Sequence, residues 1–435
     1  MNDRSALPAD RWYVLLALTL VYTINIADRF VVSTLIDPIQ REFQLSDGQV
    51  AMLTGAAMAI FYVSAGIPLG ILADRGNRKR MIVASLALWS ALTALCGLSR
   101  NFLELLVARI FVGIGEAGGT PPSQSLLCDK FPPRQRGLAM SLYAVGAAAG
   151  AALGASLGGW INDAHGWRTV LVVFGAMGLP LAAVVALTVR EPRRGVLDDA
   201  AAPQMERVAV SEALRFVAHC PALIHVLAGA AVVTFWGWGL VWWTPTFLLR
   251  SHGMSLSTSG AHLGWMHAAG GSAVTLGTAW VMHLLADRQP RYQAWLVAIT
   301  TIIGTVPSIL AHVLKSDQAV LAMLWIFVPI TYLYIGPTLA IAQNLVPASM
   351  RSLICAFILF VANVANLVVA PILIGVMSDL IGPHLTDAGA SLGVALLCSS
   401  FTGFWGAWHF WRAGVLLPSH PADGQGRSLP EARAA

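Results

Sequence analysis

Charge is what this chain lacks. Of its 435 residues only 11% are Asp, Glu, Lys or Arg, 22 acids against 27 bases, where an average soluble domain carries about 25%. So few charges cannot cover the surface of a water-soluble protein of this length, nor sustain a disordered chain or a salt-bridged coiled coil. Cysteine is scarce as well. Cys96, Cys128, Cys220, Cys355 and Cys398 are scattered, odd in number and never spaced C-x-x-C, which excludes a disulfide framework and a thiolate metal site. There is no G-x-S-x-G, no Walker loop, no H-E-x-x-H and no clustered His/Cys set. Neither an enzyme nor a nucleotide-driven pump is indicated, and no cofactor or metal is expected.

Apolar residues are abundant: 57% of the chain is hydrophobic and its mean hydropathy is +0.68. That composition leaves an integral membrane protein built of helices. Apolar stretches of spanning length recur at 11–36, 48–73, 81–99, 102–127, 137–160, 168–189, 222–249, 257–284, 292–313, 318–340, 351–378 and 388–412. The expected fold is therefore all-α, with twelve transmembrane helices. The longest polar stretch separates six helices from six. It predicts an N-terminal bundle over 1–189, a linker over 190–221 on the cytoplasmic side, and a C-terminal bundle with its tail over 222–435.

The basic residues assign the sides. With both termini cytoplasmic, 20 of the 27 fall in inner loops and tails, and five (Arg41, Arg100, Arg168, Arg250, Lys315) fall outside. Only Arg29 and Arg109 lie within helices. The net charge of +5 is thus a topology signal and not a nucleic-acid footprint. A bacterial inner membrane is the expected location, and a monomer the expected state.

Two inner loops repeat one another at an offset of 213 residues: Gly70-Ile-Leu-Ala-Asp74-Arg75-Gly76-Asn77-Arg78 and His283-Leu-Leu-Ala-Asp287-Arg288-Gln289-Pro290-Arg291. Each follows the second helix of its half. Such duplication marks transporters made of two parallel six-helix repeats.

On these residues the whole chain resembles the major facilitator superfamily. Residues 70–79 match its G-x-L-x-D-R-x-G-R-K signature, with Asn77 where Gly is usual; Leu105, Arg109, Gly113 and Gly115 match its fourth-helix pattern. A narrower likeness, to the spinster family, rests on Tyr22-Thr-Ile-Asn25-Ile-Ala-Asp28-Arg29, Gly113-Ile-Gly115-Glu116-Ala-Gly, Pro122-Ser-Gln-Ser-Leu and Asp129-Lys-Phe-Pro132-Pro133. The resemblance implies alternating access and proton-coupled movement of lysolipid- or sphingolipid-like amphiphiles. It also implies that the loop bearing Asp74 controls switching and binds no substrate.

Independently of any family, an ionisable residue deep in a spanning helix is a functional candidate, because placing it there is costly. Asp28 and Glu116 are the only acids so placed, and Arg29 and Arg109 the only bases. Tyr22, Asn25 and Arg29 share one face of the first helix, and Arg109 and Glu116 one face of the fourth. Burial and a nearby arginine pull a carboxyl's proton affinity in opposite directions, which suits a proton carrier. Glu116 is the expected proton site, with Asp28 and Arg29 a pair that rearranges with it. Tyr22, Asn25, Arg29 and Arg109 are expected to meet substrate, Arg29 by attracting an anionic head group. The competing reading makes Asp28–Arg29 and Arg109–Glu116 structural ion pairs.

The second half holds no deep acid. It carries Trp236 and Trp238 on the seventh helix as expected apolar lining, opposite a charged first half. That pairing suits an amphiphile with a polar head. Asp74, Arg75, Arg78, Asp129, Arg136, Asp287 and Arg288 are the expected cytoplasmic gate, Asp129 with Arg136 fitting the same inner network. A glycine every fourth residue from Gly146 to Gly158 predicts a tightly packed ridge. Two alternatives stay open: a proton symporter of a small organic anion such as a sugar acid, and a lipid receptor or scaffold that transports nothing.

Overall fold

A computed structural model of the chain describes residues 10–56, 61, 64, 65, 68, 69, 72, 76–192, 209–285, 288–385 and 390–417. Among these residues there are helices and turns but no strand. Seven helices are long and apolar enough to cross a membrane. One of them, Leu138–Thr188, has 51 residues and would be about 75 Å long at 1.5 Å per residue, far beyond a single crossing. It breaks at Gly166, where φ is +80°. That conformation suits glycine and falls between the expected fifth and sixth spans.

The other four spans are interrupted. The second begins as Asp47–Ala51 and continues into a π-helical turn, Met52–Ala56. The fourth is divided at Gly118 and Gly119 into Phe102–Ala117 and Thr120–Lys130. The eighth runs from Leu256–Trp265 through a π turn, Met266–Gly271, to Ser272–Leu284. The twelfth is Ser391–Ser400 followed by Thr402–Leu416. Together with the seven, these account for the twelve expected spans as far as the described residues show them. Leu16, Leu20, Leu103, Phe111, Leu187, Leu276 and Trp280 are all exposed, an arrangement that acyl chains accept and water does not.

Polar side chains set several helix starts. Asn77 and Asn101 accept from the backbone N–H groups of Arg80 and Glu104. Ser46 and Ser255 do the same for Gln49 and Thr258. Each satisfies one of the orphan donors that a first turn leaves.

The chain forms two compact units. The first comprises Met1–Gln204, Val241–Ser272 and Leu367–Leu396; the second comprises Met205–Leu240, Ala273–Asn366 and Leu397–Ala435. In the first unit the glycine ridge of the fifth span lies directly on the first span. A Cβ added at Gly150 would stand 2.5 Å from the Thr23 carbonyl oxygen, and one at Gly154 2.5 Å from that of Ala27. The ridge therefore packs backbone against backbone. The ends of the seventh, eighth and eleventh spans within this unit are fastened to the first, second and fifth by a polar network around Arg250.

The second unit has its own core. Leu223, Val226, Ile341, Ile354 and Ile358 are buried there, covered at one end by the short helix Val210–His219 through Ala213, Phe216 and Val217. The tenth span breaks between Asp317–Ile330 and Ile335–Leu345.

Candidate functional site

The site lies in the first unit, where the first and fourth spans meet. Asp28 and Arg29 are neighbours on the first helix, so their side chains diverge by about 100° and do not face each other. The expected Asp28–Arg29 pair does not form. Each reaches the fourth helix instead. The Arg29 Nε donates to the Glu116 Oε2 at 2.8 Å, and the Arg109 Nη1 donates to the Asp28 Oδ2 at 3.0 Å. Arg109 and Glu116 are seven residues, or about 10.5 Å, apart along their own helix. An arginine from each helix spans that separation, one in each direction. The pairing is crossed: neither the Asp28–Arg29 nor the Arg109–Glu116 arrangement is the one present.

Burial separates the four. Glu116 and Arg109 have side-chain exposures of 0% and 1% and Asp28 of 4%, whereas Arg29 keeps 12%. Arg29 is therefore the member that water or a ligand can touch. The Glu116 Oε1, the Asp28 Oδ1 and the Asn25 Nδ2 are buried without a hydrogen-bond partner among the described residues. Buried polar atoms of that kind are costly, and here three of them stand beside two buried ion pairs.

Tyr22 stacks on Tyr143 of the fifth span, with ring centroids 4.7 Å apart. Tyr143 escaped the sequence reading, although it precedes Gly146 by three residues and so shares the face of the ridge that lies on the first helix. Trp238 meets Tyr332 edge-on at 4.9 Å in the second unit. Trp236 is fully buried there, its indole N–H donating to Ser308 at 3.1 Å and its ring against Phe327. It is a packing residue; the placement does not support a lining role.

The expected gate residues part company. Asp74, Arg75 and Asp287 lie outside the described residues, and Arg288 is exposed. Arg78 is buried and pairs with Asp129, with Glu191 at 2.8 Å, and with the carbonyl of Ser125. It thereby ties the ends of the third, fourth and sixth spans together inside one unit. Arg136 donates to the carbonyls of Cys128 and Phe131, while Asp129 pairs with Arg78. Glu191 was missed because it follows the sixth span directly and reads as an ordinary helix-end acid.

A family model described as Major Facilitator Superfamily matches residues 18–370. The chain belongs to this superfamily. An MFS-type efflux pump of Mycolicibacterium smegmatis is 31% identical over 90% of this chain and 89% of its own. Protein spinster homolog 1 of Homo sapiens is 26% identical over 93% and 80%. The crystal structure of a bacterial homologue of the human lysosomal transporter Spinster, inward-facing and unoccupied, superposes with a TM-score of 0.85 at 29% identity, covering 94% of this chain and 98% of that one. The protein is thus a multi-pass membrane transporter of small molecules and not an enzyme, and its relatives include the spinster proteins.

Proposed function

We propose that the protein is a proton-coupled secondary transporter of an amphiphile with an anionic head group, lysolipid- or sphingolipid-like, and that Glu116 carries the proton. The observation behind this reading is the crossed pairing. Two cations and two anions make a neutral quartet, and three of its members are sealed from solvent. A proton taken up by Glu116 cancels the negative charge that Arg29, the accessible one, pairs with. An anionic head group then restores neutrality at the same guanidinium, whose planar fork suits phosphate or carboxylate. Arg109 with Asp28 holds the two helices in register meanwhile. In this scheme 1–189 and 222–435 are the alternating halves, with both termini cytoplasmic and protons as the only co-substrate.

The test is flux in proteoliposomes under an imposed pH gradient, across lysophospholipids of graded chain length and a set of sugar acids. The wild type is expected to move lysolipids with a rate that depends on chain length. Glu116→Gln is expected to lose pH-driven accumulation while retaining exchange of labelled for unlabelled substrate. Coupling that survives in Glu116→Gln at every pH removes Glu116 from the mechanism. Transport of sugar acids alone removes the amphiphile, and no flux of any kind supports a binding protein.

A further inference from the structure

The repeat that matched the two inner loops also relates two residues at the opposite end of the molecule. Asp37, at the end of the first span, and Arg250, at the end of the seventh, are 213 residues apart, the same offset. They bind each other: the Arg250 Nε donates to the Asp37 Oδ1 at 2.9 Å. Equivalent positions of a duplicated fold that touch must lie at its pseudo-two-fold axis. Around this pair Arg250 also donates to the Asp47 Oδ1 at 2.9 Å and to Gln40. The other oxygen of Asp47 accepts from Ser378 of the eleventh span.

Two further contacts flank the axis and mirror each other. At the start of the second span, the N–H groups of Asp47 and Gly48 donate to the two oxygens of Asp379, from the eleventh span, each at 2.8 Å. At the start of the eighth span, the N–H of Ser257 donates to Asp163, from the end of the fifth, at 2.9 Å. Second and eighth spans correspond in the repeat, as do fifth and eleventh. In both places a carboxylate from one half sits on a helix N-terminus of the other, where the dipole favours it.

What makes these contacts informative is that they are detachable. Each of the two helices already has its own cap, Ser46 on Gln49 and Ser255 on Thr258, both at 3.2 Å. Asp37 keeps Arg41, one helical turn away at 2.7 Å. Asp47 keeps Gln40 at 2.8 Å. If the halves part at this end, Asp37 and Asp47 retain local partners, and the released N–H groups, Arg250 and the two capping carboxylates need only water.

We infer that Asp37, Arg250, Asp163 and Asp379 form a reversible latch, one axial ion pair with two mirrored helix caps, that the transport cycle breaks to open this end of the protein. These are positioning residues for the conformational step and touch no substrate. The inference rests on the transporter reading, but its test does not need a substrate. The reporter is Thr54→Cys, a buried position whose hydroxyl accepts from the Trp242 indole beneath the latch. Cys128, Cys220, Cys355 and Cys398 are replaced by Ser, and the buried native Cys96 is kept as a control for general loosening. Purified protein in detergent is treated with a membrane-impermeant maleimide, and mass spectrometry follows both thiols.

Arg250→Gln and the double variant Asp163→Asn/Asp379→Asn are each expected to raise labelling at the reporter at least fivefold with Cys96 unchanged. Arg250→Lys, which keeps the charge but loses the fork, is expected to fall between them and the parent. Unchanged reporter labelling in variants that elute as a single folded peak overturns the latch, as does a parallel rise at Cys96. If Arg250→Gln does not fold, the carboxylate variant decides alone. A rise in labelling with no flux in any assay would leave the latch standing and remove the transport scheme instead.

Discussion

Asp28 and Arg109 give the sharpest quantitative test of the crossed arrangement. Their side chains are 4% and 1% exposed and 3.0 Å apart, so neither charge can reach water if the other is removed. Breaking a buried ion pair from one side costs about 3–5 kcal/mol, because the remaining charge stays buried and uncompensated. In a unit of 150–250 residues each kcal/mol moves the melting midpoint by about 2–4 °C. Asp28→Asn or Arg109→Gln alone should therefore lower it on the order of 10 °C. Replacing both removes the stranded charge, and the double variant should melt no lower than the worse single one. Arg29 and Glu116 should behave differently. Arg29 keeps 12% exposure and can be rehydrated by a rotamer change, so Glu116→Gln should cost half as much or less. The measurement is thermal unfolding of detergent-purified protein at constant detergent concentration. Singles within about 2 °C of the parent, or a double variant that loses the sum of the two, would refute the claim that Asp28–Arg109 is the fixed pair and Arg29–Glu116 the working one.

Two more outcomes follow from geometry away from the quartet. Gly154→Val should reduce the yield of monodisperse protein sharply, because its Cβ would meet the Ala27 carbonyl at 2.5 Å and the Phe30 Cβ at 2.9 Å, and overpacking of this kind costs about 1–3 kcal/mol or more; size-exclusion profiles of matched cultures read it. At Glu42 the hydrogen bond from Arg168 holds the carboxyl below the ordinary glutamate range, outweighing a smaller effect of burial, and Trp167 adds to the lowering. A carboxyl lowered by folding stabilises the protein above its unfolded pKa and loses that contribution as pH falls through the folded one. The melting advantage of the parent over Glu42→Gln should thus be present at neutral pH and vanish on strong acidification. Because both side chains are more than a third exposed, the effect should be small and weakened by salt; an advantage that grows in acid would contradict the sign.

Much of the fold is legible because hydropathy reports length, and length decides what can cross a bilayer. The fifth and sixth spans were separable in sequence at the polar stretch that holds Gly166. The break in the fourth span was not, since Gly118 and Gly119 sit among residues as apolar as a continuous helix needs. That four charges would be buried together was also legible, since they stand out where charge is expensive. Their pairing was not. It depends on the axial register of two helices, which no local pattern encodes, and adjacent residues such as Asp28 and Arg29 look like partners on paper while pointing apart on a helix. Trp236 shows the same limit from the other side, since an aromatic in a spanning helix reads alike whether it fills a core against Phe327 and Ser308 or faces a ligand. Asp37 and Arg250 could have been found by applying the 213-residue offset to every charged residue and not only to the inner loops.

The crossed pairing also fixes the sign of coupling that the proposed scheme requires. If an anionic head group occupies Arg29, it displaces the Glu116 carboxylate from the one cation that donates to it among the described residues. In the proposed scheme the released glutamate, fully buried, then takes up the proton. In that scheme anion and proton bind in cooperation, and linkage makes the effect reciprocal. Substrate affinity should rise as pH falls, by up to about tenfold per pH unit for a single linked proton, and the dependence should disappear in Glu116→Gln, which mimics the protonated acid. Equilibrium binding of a lysophospholipid to detergent-purified protein across a pH series measures it directly. An affinity that falls in acid would mean that proton and substrate compete for the site, as in an exchanger, and the idea that protonation frees Arg29 for the head group would have to be abandoned.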